Sequence, residues 1–308
     1  MQDFMDAVLF GFNGIFRTKT IKFAMLSALA ISAVWLILGF IFWDGITAFT
    51  SSVLELIPFS MLRSNGAFML SAFLWLQAVL VTFALFFAFL GNTIIAKIDK
   101  DKYAALTVRI GLLSALFWSI VWFFAHSYIY AQFLKLLTWL PFQTVQKGLA
   151  YLIAFYIIYT GIVITIIFVT SMFSSSYLSE IREEFFPYDK MYDEYEYNTV
   201  VKTFKDTGVF LALSIISFPL LFIPVLNFFI LVGLWTWMMK DTISYDTAAF
   251  VFGEVEKEKL KEYRGAIWGL NIMGSFFNFI PVFNVFGPYF TELALFYYFK
   301  EKRDLQEV

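Results

Sequence analysis

Six long stretches of the chain are apolar and nearly free of charge, and the short segments between them hold most of the ionic side chains. Residues 23–43, 67–96, 110–134, 148–179 and 207–239 contain no Asp, Glu, Lys or Arg, and 265–299 contains only Glu292. A helix crossing ~30 Å of hydrocarbon needs about 20 such residues, so every stretch is long enough to span. Residues 1–16 follow another pattern. Phe4, Met5, Val8, Leu9, Phe12, Ile15 and Phe16 share one helical face, with Gln2, Asp3, Asp6 and Asn13 largely opposite, which predicts a helix lying in the membrane interface. The whole reads as a single all-α, polytopic membrane domain over 1–308.

Two of the stretches are interrupted alike. Ile223-Pro224-Val225-Leu226-Asn227 recurs as Ile280-Pro281-Val282-Phe283-Asn284, each at mid-segment. Proline removes a backbone donor and asparagine tolerates turn geometry, so 207–239 and 265–299 are either long kinked spans or re-entrant helical hairpins with these pentapeptides as tips. The positive-inside rule favours hairpins: if both segments return to their starting side, Lys240, Lys257, Lys259, Lys261, Arg264, Lys300, Lys302 and Arg303 join Arg17, Lys19, Lys22 and the bases of the other inner loops, and both termini are cytoplasmic. That gives four full spans, two hairpins and an interfacial helix. Arms of about 15 residues, at ~1.5 Å each, stop short of crossing. Irregular backbone at such depth must be covered by protein, which predicts packing against the spans or within a homo-oligomer.

Composition narrows the function. With 60% hydrophobic and 15% charged residues and a mean hydropathy of +0.75, the chain has the lipid bilayer as its first partner. No cysteine and a single histidine argue against disulfides and Cys- or His-built metal sites, and a net charge of -2 without a basic domain argues against nucleic acid. No phosphate-binding glycine loop, HExxH or nucleophile with a base is evident, so neither a catalytic residue nor a cofactor is expected. Arg17, Lys19 and Lys22 precede a full-length first span, unlike a cleaved signal peptide.

A few polar residues stand out. In each hairpin the second arm would begin at the tip, turning its free N–H groups toward the membrane interior, where they attract anions unless Asn227 and Asn284 cap them. Glu292 is either a pathway or proton-accepting group, or a structural carboxyl bonded to Asn271, Asn278 or a tyrosine hydroxyl. His126, beside Tyr128 and Tyr130, reads as an interfacial aromatic, and Gln77 as an interhelical hydrogen-bonding group. The acidic segment 180–206, within 174–206, and the connection 240–264, whose residues 250–264 alternate Glu and Lys, read as solvated cytosolic loops.

Three passages carry a family resemblance. The stretch 218–302, with its paired Ile-Pro-x-x-Asn motifs and Ser244-Tyr245-Asp246 between them, is similar to the CysZ sulfate transporters of the etoposide-induced-protein family. So are Gly11-Phe12-Asn13-Gly14-Ile15-Phe16-Arg17 with Lys22-Phe23, and Phe173-Ser174-Ser175-Ser176-Tyr177-Leu178-Ser179-Glu180. The resemblance implies a bacterial inner-membrane, oligomeric pathway for sulfate. At the positions of that family's anion-binding Gly-Leu-Arg and following Arg, this chain has Lys19-Thr20-Ile21 and Lys22, so an anion would meet point charges at Arg17, Lys19 and Lys22 in place of bidentate arginines. Residues 67–147 add a region that the shorter transporters lack. The expectation is a transporter or channel for a small solute, foremost an inorganic anion such as sulfate. The alternative is a membrane scaffold whose loops 174–206 and 240–264 bind a cytosolic partner.

Overall fold

A computed structural model describes residues 2–95, 100–189, 226–253, 257–279 and 283–306, with scattered positions between 205 and 220. The described residues are helical and contain no strand. The helices are α1 (Gln2–Gly14), α2 (Thr18–Glu55), α3 (Phe59–Ile95), α4 (Lys100–Trp139), α5 (Phe142–Met172), α6 (Ser174–Phe185), α7 (Leu226–Phe252), α8 (Lys257–Glu262), α9 (Arg264–Phe277) and α10 (Gly287–Gln306), with a 3-10 turn at Phe283–Phe286. Among these, α2, residues Leu113–Trp139 of α4, and α5 are long and apolar enough to cross a membrane. Helix α2 has 38 residues, or ~57 Å at 1.5 Å per residue, so it extends well past the segment 23–43 and past the hydrocarbon.

The chain divides into two compact units. One comprises Leu29–Ile162 with Pro219–Asn227. Within it α2 and α5 run antiparallel: Trp35 lies on Gly161, Gly39 on Ile158, the Trp43 and Tyr151 rings are 5.8 Å apart, and Gln146 donates to the Ser51 carbonyl at 3.3 Å. The two glycines bring the helices close, the small-residue device by which helices associate where lipid removes any hydrophobic advantage. Helices α3 and α4, the added region, form a second antiparallel pair. Ser64 and Tyr130 share a 2.8 Å hydrogen bond, Trp118 Nε1 donates to Thr82 at 2.7 Å, and the Phe68 ring meets both Trp122 and His126. His126 thus sits in an aromatic cluster, whereas Gln77 is exposed.

The other unit comprises Met1–Ala28, Val163–Phe218 and Phe228–Val308. Here α9 and α10 fold back on each other. Tyr263 touches Tyr298 and Phe299, Phe277 stacks on Phe290 at 5.1 Å, and Gly274 abuts Gly287 and Thr291. The segment 265–299 is therefore a hairpin and not one kinked helix. Phe210 likewise reaches Trp235, with ring centroids 5.3 Å apart across the first interruption. The prolines of both tips, Pro224 and Pro281, lie outside the described residues, as does 190–204 of the acidic segment.

Three local features differ from the sequence reading. Helix α1 docks antiparallel on α10 through Ala7, Gly11 and Gly14, with the Phe10 ring stacked on Tyr297 at 4.9 Å, while Met5 and Leu9 stay exposed. Its N-terminal end is tied by Lys302 to Asp3 at 2.6 Å. Helix α7 does not stop near Met239 but continues to Phe252 and buries Ser244, Asp246 and residues 247–251, so the first half of the expected 240–264 connection belongs to the packed interior. Finally, 174–185 forms helix α6 with Ser174, Tyr177, Leu178 and Ile181 buried. An amphipathic helix satisfies its backbone internally, so a segment with apolar positions at helical spacing packs even when its composition is charged.

Candidate functional site

The hairpin unit contains a seam of buried polar side chains built from six elements. The first turns of α2 supply Thr20, whose hydroxyl shares a 2.8 Å hydrogen bond with Tyr177 of α6. Ser27, two turns on, reaches the Tyr289 hydroxyl of α10 at 3.2 Å, and the Tyr177 and Tyr289 rings meet edge-on with centroids 5.3 Å apart. The end of α5 supplies Ser171, which donates to Oδ2 of Asp246 on α7. Asn271 of α9 donates to Ser244 at 2.8 Å and to the Ile267 carbonyl at 2.7 Å, and Thr236 and Ser275 share a further bond at 2.9 Å. Every residue named except Ser27 is essentially shielded from solvent.

Glu292 sits in this seam at 0% exposure. The Ser174 hydroxyl of α6 and the Asp246 carboxyl of α7 are the polar groups that act on its carboxyl group. The structural reading, in which Asn271, Asn278 or a tyrosine holds the carboxyl, finds no such bond. Asn271 spends its donors elsewhere, and Tyr177 and Tyr289 bond to hydroxyls on α2. A buried carboxyl normally costs free energy unless it is hydrogen-bonded or paired.

The basic cluster is arranged differently. Arg17 and Lys19 converge on one carboxylate, Glu184 of α6, at 2.9 and 3.6 Å, and the Arg17 guanidinium lies 4.5 Å over the Phe185 ring. Lys22 is exposed. Both cations are thus paired with one of the chain's own carboxylates. Of the tip asparagines, Asn284 is buried in the 3-10 turn and Asn227 is the second residue of α7. Glu292 is thus joined with Asp246, while Arg17 and Lys19 are joined with Glu184.

Sequence reading missed Asp246. The signal was present: between Asp241 and Gly253 it is the only charged residue, the same lone-acid pattern that singled out Glu292. Placing the end of the hairpin at Met239 put it in a loop and hid that pattern. Ser174 was missed similarly, because a serine run at a span end reads as a solvated boundary.

No curated protein and no solved structure matches the chain. A family model described as sulfate transporter CysZ/etoposide-induced protein 2.4 matches residues 98–288, which takes in α4 to α9 and the second interruption. That match covers more than half of the sequence, so this all-α membrane protein belongs to the CysZ/etoposide-induced protein 2.4 family.

Proposed function

We propose that the protein is a transporter or channel for a small inorganic anion, with sulfate the first candidate, resident in a bacterial inner membrane with both termini cytoplasmic. The observation that carries this reading is the buried polar seam of the hairpin unit, in a chain whose family is transporter-like. A scaffold needs no hydroxyls, amides and carboxyls gathered inside an apolar bundle, because each costs desolvation and serves nothing there. A solute path needs them, since a hydrated ion must exchange its water for protein oxygens and donors. Arg17 and Lys19, held by Glu184, are the entry group, and the anion competes with that carboxylate for the two cations. Re-entry of the α9–α10 hairpin into the bilayer would set its turn at mid-depth, and a second copy of the chain would cover it.

The test is radiolabelled sulfate flux into liposomes containing the purified protein. Wild type should exceed empty vesicles, and replacing Arg17, Lys19 and Lys22 together by Ala should return flux to background. A folded, correctly oriented protein that moves no sulfate would remove this substrate, and binding of a cytosolic partner through 174–206 and 240–264 would then be the function to pursue.

A further inference from the structure

Helices α3 and α4 pack on each other through a row of polar aromatic side chains. Tyr130, His126, Trp122 and Trp118 follow one another at four-residue spacing on α4, and α3 meets them with Ser64, Phe68 and Thr82. Trp75 falls midway between Phe68 and Thr82, seven residues from each, and therefore on the same face of α3. The Trp118 N–H is committed to Thr82 at 2.7 Å, but the indole nitrogens of Trp75 and Trp122 are buried and have no hydrogen-bond partner. A buried indole N–H normally finds an acceptor, and two in one seam that find none within the protein call for a guest that supplies it.

The surroundings decide the sign of that guest. An indole nitrogen donates and does not accept, so these two groups offer nothing to a metal cation. Residues 67–96 and 110–134 contain no Asp or Glu. At one end of the seam, next to Ser64, Arg63 holds its guanidinium 3.9 Å over the Phe59 ring, keeps its Nε buried and unbonded, and pairs with no carboxylate among the described residues. We propose that the indole N–H groups of Trp75 and Trp122 bind a small monovalent anion of the halide or nitrate class in the α3–α4 seam. Two neutral donors replace only part of an ion's hydration. That is enough for a weakly hydrated monoanion, whereas a dianion such as sulfate holds its water too strongly to enter. The site is therefore separate from the sulfate path proposed above and does not depend on it: it belongs to the other unit, in the added region 67–147.

Nuclear magnetic resonance of the indole N–H groups tests this in the full-length protein, isotope-labelled on its tryptophan side chains and held in nanodiscs of zwitterionic lipid. Bromide, added against gluconate at constant ionic strength, should shift two of the nine indole resonances saturably. Trp75→Phe and Trp122→Phe keep an aromatic ring and remove the donor; each should delete one of the two resonances and weaken bromide binding at the other about tenfold. Trp139→Phe, at a side chain that is largely exposed, should leave the titration as in wild type. Sulfate at matched ionic strength should shift neither resonance. A wild type without any saturable shift overturns the proposal, because water or nothing then meets these donors. So do shifts confined to other tryptophans, or a sulfate shift equal to that of bromide. Either phenylalanine variant, shown to be folded by circular dichroism, is enough to assign one of the pair. A bromide site in a protein without sulfate flux would leave this proposal standing and sink the sulfate reading; flux without the site would do the reverse.

Discussion

Helices α4 and α10 are both rich in aromatic residues, yet they use their surfaces oppositely. On α4, Leu113, Phe117, Phe123, Phe124 and Trp139 are exposed, the last three by more than three quarters. On α10, Tyr289, Phe290, Leu293, Phe296 and Phe299 are buried, and so are Thr291, Glu292 and Lys300. The more polar helix is the more deeply enclosed. Its neighbours explain this: α10 is covered by α1, α9 and the 3-10 turn, whereas α4 packs along one side against α3. In a bilayer the outward phenylalanines of α4 meet lipid at no cost, while polar groups are admitted only where protein surrounds them. Apolar composition therefore locates the membrane but does not say which helix is its core; small residues and polar residues say that.

The largest expected effect tests the small-residue contacts. A Cβ at Gly11 would lie 2.9 Å from both Ala294 Cβ and the Phe290 carbonyl oxygen, neither of which can swing aside. Gly11→Leu should lower stability by ~1–3 kcal/mol and release α1 from α10, read as a lower midpoint of thermal unfolding in detergent and faster proteolysis of the N-terminus. At Gly45 on α2 and Gly148 on α5 an added Cβ would meet nothing within 4 Å. Alanine at either should be neutral or stabilise by ~0.5–1 kcal/mol, since only the helical cost of glycine is removed. If Gly11 and Gly45 variants behave alike, the contrast between enclosed and lipid-facing helices fails.

The next test compares one hydrogen bond in each unit. Tyr177→Phe leaves the fully buried Thr20 hydroxyl without its partner and should cost ~1–3 kcal/mol. Tyr130→Phe removes the 2.8 Å bond to Ser64 in a half-exposed setting, and should cost less than ~1 kcal/mol. Chemical denaturation in mixed micelles orders the two. Equal losses would mean that burial within the protein does not measure isolation from water and headgroups.

Much of this architecture is legible in the sequence because charge is so costly in lipid that its absence marks a span, and because a repeated proline and asparagine mark an interruption. The uncharged runs 23–43 and 148–179 fall largely on α2 and α5, and the second pentapeptide lies between α9 and α10, which fold back on each other. The choice of face is not legible in the same way. The large residues of α1 dominate its pattern, whereas Ala7, Gly11 and Gly14 have little hydrophobicity to register; their role is the closeness they permit. The site is half legible for a related reason. Glu292 is conspicuous alone, but Asp246 and Ser174 become its neighbours only through the packing of α6, α7 and α10, which no spacing along one helix encodes.

The smallest effect tests the tether of α1. Lys302 donates to Asp3 at 2.6 Å, and this bond together with the ammonium charge holds the Asp3 carboxyl below its ordinary 3.8. The same bond raises the Lys302 ammonium above its ordinary 10.5. An acid with a depressed folded-state value stabilises the docked helix at pH above its unfolded value and loses that contribution as pH falls through the folded one. A base with a raised value contributes below its unfolded value and loses it as pH rises through the folded one. Protection of the α1 amides from hydrogen exchange should therefore hold across neutral pH, weaken below about pH 4, and weaken again above about pH 10.5. Both side chains are partly exposed, so the steps should be small and should shrink further in high salt. Lys302→Ala should remove both steps while Gly11 keeps α1 in place. If the substitution instead frees the whole helix, the ion pair and not the close glycine contact holds α1 on α10, and charge at the surface, more than closeness in the interior, is what encloses the polar residues of this unit.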